Sequence, residues 1–389
     1  MIGKSNGLTS ILFVSDLNIG DAVISSSAVS ALREMFPAAV IDLVIKRSTA
    51  CFVEGNPDVT NLFPLYEGAP FPLEQDLHSL SEISKVGGYD LIVNFSPMIP
   101  DKIFESKNVI NYSGMAAQLV RNEQSSSVVN NITYQAYVFI NEVFDRSIEM
   151  PVQQSFKGAS IYLSEAAREK AEEFLRQHGI SSDRKIVLVN PDASARFTRI
   201  PFKFQVELLR RLSFLDYSII LGSGHVERQL EHELLFSLSP ALRRRIAVVP
   251  ASLAIDAFAA LTDLVDVFIT GDTGPLHLAA ARKYERSTGL ELRNRTAVFS
   301  VFGGTPPHIY GYDSSREGYL AANQDAPSRT FIAKSPCRNI SCINKMAKTC
   351  AEVRCFDGLD LSELIRETAR VLESKERIHD REKISVTVG

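Results

Sequence analysis

The peptide VFITGDTGPLHLAAA, Val267 to Ala281, sets an acid, a threonine and two glycines directly before a proline and a histidine. Pro275 suits the first position of a helix, where its fixed φ fits and its missing N–H costs nothing. The free N–H groups of such a helix start make an anion site that the glycines let a phosphate approach closely. A diphosphate is the natural guest. Asp272 offers its carboxylate to sugar hydroxyls, and the His277 imidazole can donate to a phosphate. The plainer alternative is that Asp272 caps the helix and His277 is a packed core histidine.

A second acid, Asp21, follows Ile19-Gly20 at the start of another helix. It falls after the first strand, at the C-terminal edge of the sheet, where open α/β folds bind their ligands. The helix dipole alone also favours an acid there. The dinucleotide spacing Gly-x-Gly-x-x-Gly is absent from this turn. Four of the five cysteines, Cys337, Cys342, Cys350 and Cys355, fall in one short segment with the spacing Cys-x4-Cys-x7-Cys-x4-Cys. Four thiolates can complete a tetrahedral zinc or iron site, although x4 is looser than the usual x2. Reduced thiols packing as small hydrophobes are the alternative.

These residues need elements to hold them. An apolar run at Ile11 to Ser15, a helix from Asp21 to Phe36 stopped by Pro37, and a second apolar run at Val40 to Ile45 make a strand, helix, strand unit. A parallel sheet covered by helices follows. Tyr89 to Phe95 and Asn108 to Asn111 read as further strands, and Ile132 to Val143 as a closing helix. Asp145 to Gly158 reads as a link. Ser164 then caps a helix, Glu165 to His178, that ends at Gly179. Strands are expected at Lys185 to Asn190, Tyr217 to Leu221, Ile246 to Val249, Val265 to Thr270 and Thr296 to Phe302. Leu361 to Leu372 reads as a late helix and the charged stretch beyond it as mobile. The expectation is α/β throughout, with domains at 1–155 and 156–375 and a tail at 376–389.

A chain of 389 residues is long enough for two such domains, each with its own core. With 45% hydrophobic and 23% charged residues it is neither disordered nor fibrous. A net charge of −4 argues against a protein built to coat nucleic acid. The polar start and the short first apolar run give no signal peptide or membrane-spanning segment, so the chain reads as cytoplasmic.

Taken in order, these peptides resemble glycosyltransferase family nine, the heptosyltransferases of lipopolysaccharide assembly. Ile19-Gly20-Asp21 with Phe36-Pro37 is similar to the family's opening, and Glu54-Gly55-Asn56-Pro57-Asp58 and Tyr89-Asp90-Leu91-Ile92 to its next landmarks. Asn190-Pro191 heads the second half. The run Gly271 to Ala281 followed by Phe302-Gly303-Gly304-Thr305-Pro306 is similar to its most specific signature. The resemblance implies a GT-B fold: two Rossmann-like doubly wound domains with a cleft between them, the acceptor side in the first, the nucleotide-sugar in the second, and a final helix that returns to the first. It implies Asp21 as the general base on the acceptor hydroxyl, and Thr273, Gly274 and Pro275 as the diphosphate cradle. Asp272 and His277 would hold donor sugar and phosphate. Glu227 would bind the ribose hydroxyls, unless it is simply an exposed helix acid.

Three departures stand out. Asp192 follows Asn190-Pro191 where the family has glycine, and Thr198-Arg199-Ile200-Pro201 stands where it has a lysine before Trp-Pro. Arg196 or Arg199 is left to supply the phosphate-binding charge. Arg282 to Arg295 is a hydrophilic stretch where the family turns straight into the next strand, and it reads either as a solvated loop or as a contact for an acidic acceptor. The cysteine cluster is the third; protein-modifying relatives in the family carry an iron-binding cysteine finger. The implied activity is inverting, metal-independent transfer of a sugar, heptose first, from a nucleotide-sugar such as ADP-heptose to a hydroxyl of a glycan, glycolipid or protein. A lipid acceptor would require peripheral contact with the inner membrane. The other readings are transfer or epimerisation of another nucleotide-sugar, and a non-catalytic nucleotide-sugar binder.

Overall fold

The computed structural model describes residues 7–15, 18–65, 74–96, 98–104, 108–112, 131–144, 156–181, 184–193, 195–215, 217–222, 228–322, 326–335 and 354–386. The chain forms two compact units. Unit 1 is Met1–Glu165 with Ala280–Arg293 and Glu317–Leu320; unit 2 is Ala166–Ala279 with Asn294–Arg316 and Ala321–Gly389.

Unit 1 is built on a five-stranded sheet, β1 (Ser10–Ser15), β2 (Val40–Lys46), β3 (Asn61–Leu65), β4 (Leu91–Asn94) and β5 (Val109–Asn111), in the order β3-β2-β1-β4-β5. Every pairing is parallel. The central strand carries Ile11, Leu12, Phe13 and Val14 with no exposure at all, as a strand covered on both faces must. Helix α1 (Ile19–Met35) follows β1, α2 (Glu74–Gly87) precedes β4, and α3 (Ile132–Val143) packs on α1. Helix α1 is buried on nearly every side, including Ser25, Ser26 and Ser27. Their hydroxyls donate back to the carbonyls of Ala22, Val23 and Ile24 at 2.7–2.8 Å, which satisfies polar groups that water cannot reach. Ser27 also donates to the Thr133 carbonyl of α3, and Ser26 Oγ accepts from the Ser160 amide.

A two-stranded parallel ribbon completes this unit: β6 (Ser160–Leu163) pairs with β11 (Arg282–Glu285). The hydrophilic stretch expected as a loop is therefore a strand that turns back on itself. The Leu292 amide bonds the Lys283 carbonyl and the Glu285 amide the Leu290 carbonyl, both at 2.8 Å. Lys283 is 1% exposed. The β-period explains it, since Lys283 and Glu285 face away from Arg282 and Tyr284.

Unit 2 carries β7 (Ile186–Asn190), β8 (Ser218–Leu221), β9 (Ile246–Val248), β10 (Val267–Thr270), β12 (Ala297–Phe302) and β13 (Ser328–Ile332), in the order β13-β12-β10-β7-β8-β9. All pairings are again parallel. Helices α4 (Glu165–Gln177), α5 (Phe202–Leu212), α6 (Arg228–Phe236), α7 (Ile255–Leu261) and α8 (Gly274–Ala280) link or cover them. Past α4 the chain turns at Gly179 with φ +63°. The last helix, α9, spans Leu361–Val386, so the stretch read as a mobile tail from residue 376 is helical to Val386. Its Leu361, Leu364, Val371 and Leu372 join the apolar core of unit 2, packed beside α5 and β10.

Candidate functional site

Both sheets run in the doubly wound sense, and each reverses direction next to its first strand: between β1 and β4 in unit 1, and between β7 and β10 in unit 2. Ligands of such sheets bind at the carboxyl ends of the strands flanking that reversal. In unit 1 the segment after β1 enters α1 there. Asp21 is exposed in the first turn of α1, after an N-cap, Asn18, whose side chain makes no capping bond. Lys46, at the end of β2, donates to Asn18 Oδ1 at 3.2 Å, so a cation and an acid share this edge.

In unit 2 the two flanking strands end in register, Asn190 opposite Thr270. Asn190 Nδ2 donates to Thr270 Oγ1 at 3.0 Å, and Thr270 Oγ1 lies 3.2 Å from Thr273 Oγ1. This chain of polar atoms ties the Asn190-Pro191 turn to the Gly271-Asp272-Thr273-Gly274 turn. A Cβ on Gly271 would sit 2.4 Å from the Thr198 carbonyl oxygen, so only glycine lets the β10 turn lie against the loop after β7. Asp272, Thr273, Gly274 and Pro275 are all half-buried at this edge.

His277 is 4% exposed, and its Nδ1 lies 2.9 Å from the Tyr312 hydroxyl. Burial pushes the imidazole down to about 4, so it is neutral at physiological pH. It can offer a phosphate a neutral hydrogen bond through its remaining nitrogen, but no charge. The Tyr312 partnership spans 35 residues with no local pattern to announce it, and sequence reasoning missed it.

The two departures at the head of unit 2 meet each other. Arg199 Nε lies 2.9 Å from Asp192 Oδ1, with the two side chains only 14% and 15% exposed, and Arg199 Nη2 donates to the Ala193 carbonyl at 2.9 Å. The acid that replaces glycine thus holds the arginine near the missing lysine. Arg196 stands exposed on the same loop. On the neighbouring turn after β12, within the Phe302–Pro306 run, the Thr305 hydroxyl is buried without a partner among the described residues.

Glu227, Cys337, Cys342 and Cys350 lie outside the described residues. Cys355 is buried, its thiol 3.9 Å from the Phe197 carbonyl. Among the described residues, no group of three or more His, Cys, Asp or Glu could hold a metal, and no helix is long and apolar enough to cross a membrane.

Comparison with known proteins agrees with this geometry. The family model of glycosyltransferase family 9 (heptosyltransferase) matches residues 112–288. A Haemophilus influenzae protein described as "Putative glycosyltransferase" is 27% identical over 134 residues, which cover 34% of this chain. That match spans only 38% of the curated relative's length. The glycosyl transferase family 9 structure from Veillonella parvula superposes with a TM-score of 0.68 at 16% identity, covering 94% of this chain and 98% of that one. E. coli ADP-heptose lps heptosyltransferase II gives 0.61 at 16% identity, covering 95% and 100%. At such identities the two structures speak to the fold, which is GT-B. The family model matches the 112–288 segment, and the chain that contains it folds like those two structures, as two parallel α/β units of the GT-B type.

Proposed function

We propose that the protein is an inverting glycosyltransferase that moves a sugar, heptose first, from ADP-heptose to an acceptor hydroxyl. The observation that carries this reading is the Gly271–Pro275 turn at the switch point of unit 2, tied to Asn190 and lying inside the matched segment. Thr273, Gly274 and Pro275 receive the diphosphate through main-chain groups and the local dipole. Asp272 accepts from the donor sugar, His277 donates to phosphate, and Glu227 binds the ribose. With Arg199 engaged by Asp192, the exposed Arg196 is the freer cation to meet developing charge on the diphosphate. Asp21, outside the matched segment, takes the acceptor proton as the hydroxyl oxygen bonds to the anomeric carbon and the carbon–phosphate oxygen bond breaks. No metal is required for that chemistry.

The acceptor is a glycan, glycolipid or protein hydroxyl; a lipid-borne one brings the chain to a membrane surface. The cysteine segment is proposed as a structural zinc or iron site, supported by its spacing alone. Elemental analysis giving about one metal per chain upholds it, and none leaves four packing thiols. Thermal-shift measurements with ADP-, GDP-, UDP- and dTDP-sugars, followed by turnover, test the donor. Asp21→Asn should keep the fold and donor affinity while turnover falls by about 10²- to 10⁴-fold. Wild-type turnover in that variant would remove Asp21 as the base.

A further inference from the structure

A cavity of about 270 Å³ opens in unit 1 at the edge of the sheet opposite Asp21. It is floored by the first residues of β6 and β11 and walled by the end of α1 and the segment entering β3. Along α1, Glu34 at this cavity lies about 20 Å beyond Asp21, at roughly 1.5 Å per residue. The reaction proposed above uses none of the cavity's groups.

Its lining has a mixed chemistry. Tyr162 of β6 and Tyr284 of β11 are register partners whose rings stack at 5.3 Å with an interplanar angle of 20°. Tyr137 and Phe156 add a second aromatic pair, edge to face at 5.3 Å. Asp58 accepts from Ser30 at 2.7 Å and Glu34 from the Tyr137 hydroxyl at 2.5 Å, which fixes both carboxylates. Arg282 is held in place by both oxygens of Glu291. Burial raises both stacked phenols, with the Asp58 charge adding to it, so each hydroxyl keeps its proton and can donate.

Among the lining side chains two carboxylates, Glu34 and Asp58, stand against two cations, Arg282 and the exposed Lys157, so no net charge selects an ion, and two O–H donors and flat apolar ring faces complete the lining. A nucleotide-sugar is also too large for this volume. A polyol of one ring fits: its hydroxyls meet acceptors and donors while its C–H face lies on an aromatic ring. We propose that this cavity is a second, carbohydrate-binding site that takes one neutral sugar residue, remote from the site of transfer.

Saturation-transfer NMR on the full chain, with neutral hexoses and heptoses at millimolar concentration and no nucleotide present, tests it. At least one sugar should show transfer to its ring protons. Tyr284→Ala should weaken that sugar by about tenfold or more. Asp58→Asn, which keeps shape but loses the charged acceptor, should weaken it less, while Asp272→Ala should leave it intact. Because Tyr284→Ala could disturb the ribbon, its thermal shift with ADP serves as the control and should match wild type. No transfer from any sugar in the panel, or transfer unaltered in both Tyr284→Ala and Asp58→Asn, overturns the proposal. Either result leaves the donor-site reading untouched, since that stands on nucleotide binding at Asp272.

Discussion

A buried imidazole makes stability answer to acidity. Above pH about 6.5, His277 is neutral whether the chain is folded or not, and protonation contributes nothing. As pH falls from about 6.5 towards about 4, the unfolded chain takes up a proton that the buried ring refuses. Stability therefore declines across that window, by up to about 3 kcal/mol. Urea unfolding at a series of pH values should show this slope flattened in His277→Gln. An equal slope in both proteins would mean that the ring is not the group responsible. The Asp192–Arg199 pair makes a different forecast. Removing either partner leaves a largely buried charge without its counter-ion, so each single alanine variant should be destabilised while the double variant is no worse than the weaker single. A coupling energy on the order of 1 kcal/mol or more is expected from the cycle; strict additivity would show the pair to be incidental. Asp272→Ala should cost about 1–3 kcal/mol of donor affinity by calorimetry, and unchanged affinity would make Asp272 a helix cap only.

At the level of elements, what the sequence announced were the buried strands: β1, β4, β7 and β10 hold continuous apolar runs, and β2 and β12 are broken only by Asp42 and Ser300. The turns that carry Asp21 and Asp272 were legible for the same reason, since each directly follows such a run. Elements without that signature stayed hidden. In β3, NLFPL is half-exposed and interrupted by Pro64, and β11 reads RKYE, a strand only because β6 offers it an edge. Helix α9 runs on past Leu372 through a charged sequence with few apolar residues to mark it. The β11 turn also makes a prediction of its own. Gly289 sits at φ +69° with open space where a Cβ would go, so Gly289→Ala carries conformational strain and no clash. The variant should lose about 1 kcal/mol of stability in thermal melts, and no loss would show that the turn relaxes freely.

For the whole molecule, the two sheets have separate cores, and the proposed function gives them separate tasks. If the donor belongs to unit 2, hydrogen exchange with and without ADP should slow at residues 190–200, 271–277 and 303–306, and not at Asp21 or the β6–β11 ribbon. Protection confined to unit 1 would reverse the assignment. Unit 1 is also discontinuous in sequence, and that has a consequence for how the protein is made. Strand β6 ends at Leu163 but its partner β11 begins only at Arg282, after most of unit 2. On a ribosome the intervening residues take on the order of ten seconds at roughly 5–20 residues per second. Throughout that interval the nascent N-terminal unit presents an unpaired strand edge, which is the surface that misassociates most readily with another chain. A truncated product ending before residue 280 never closes that edge, so it should accumulate as aggregate where the full chain does not.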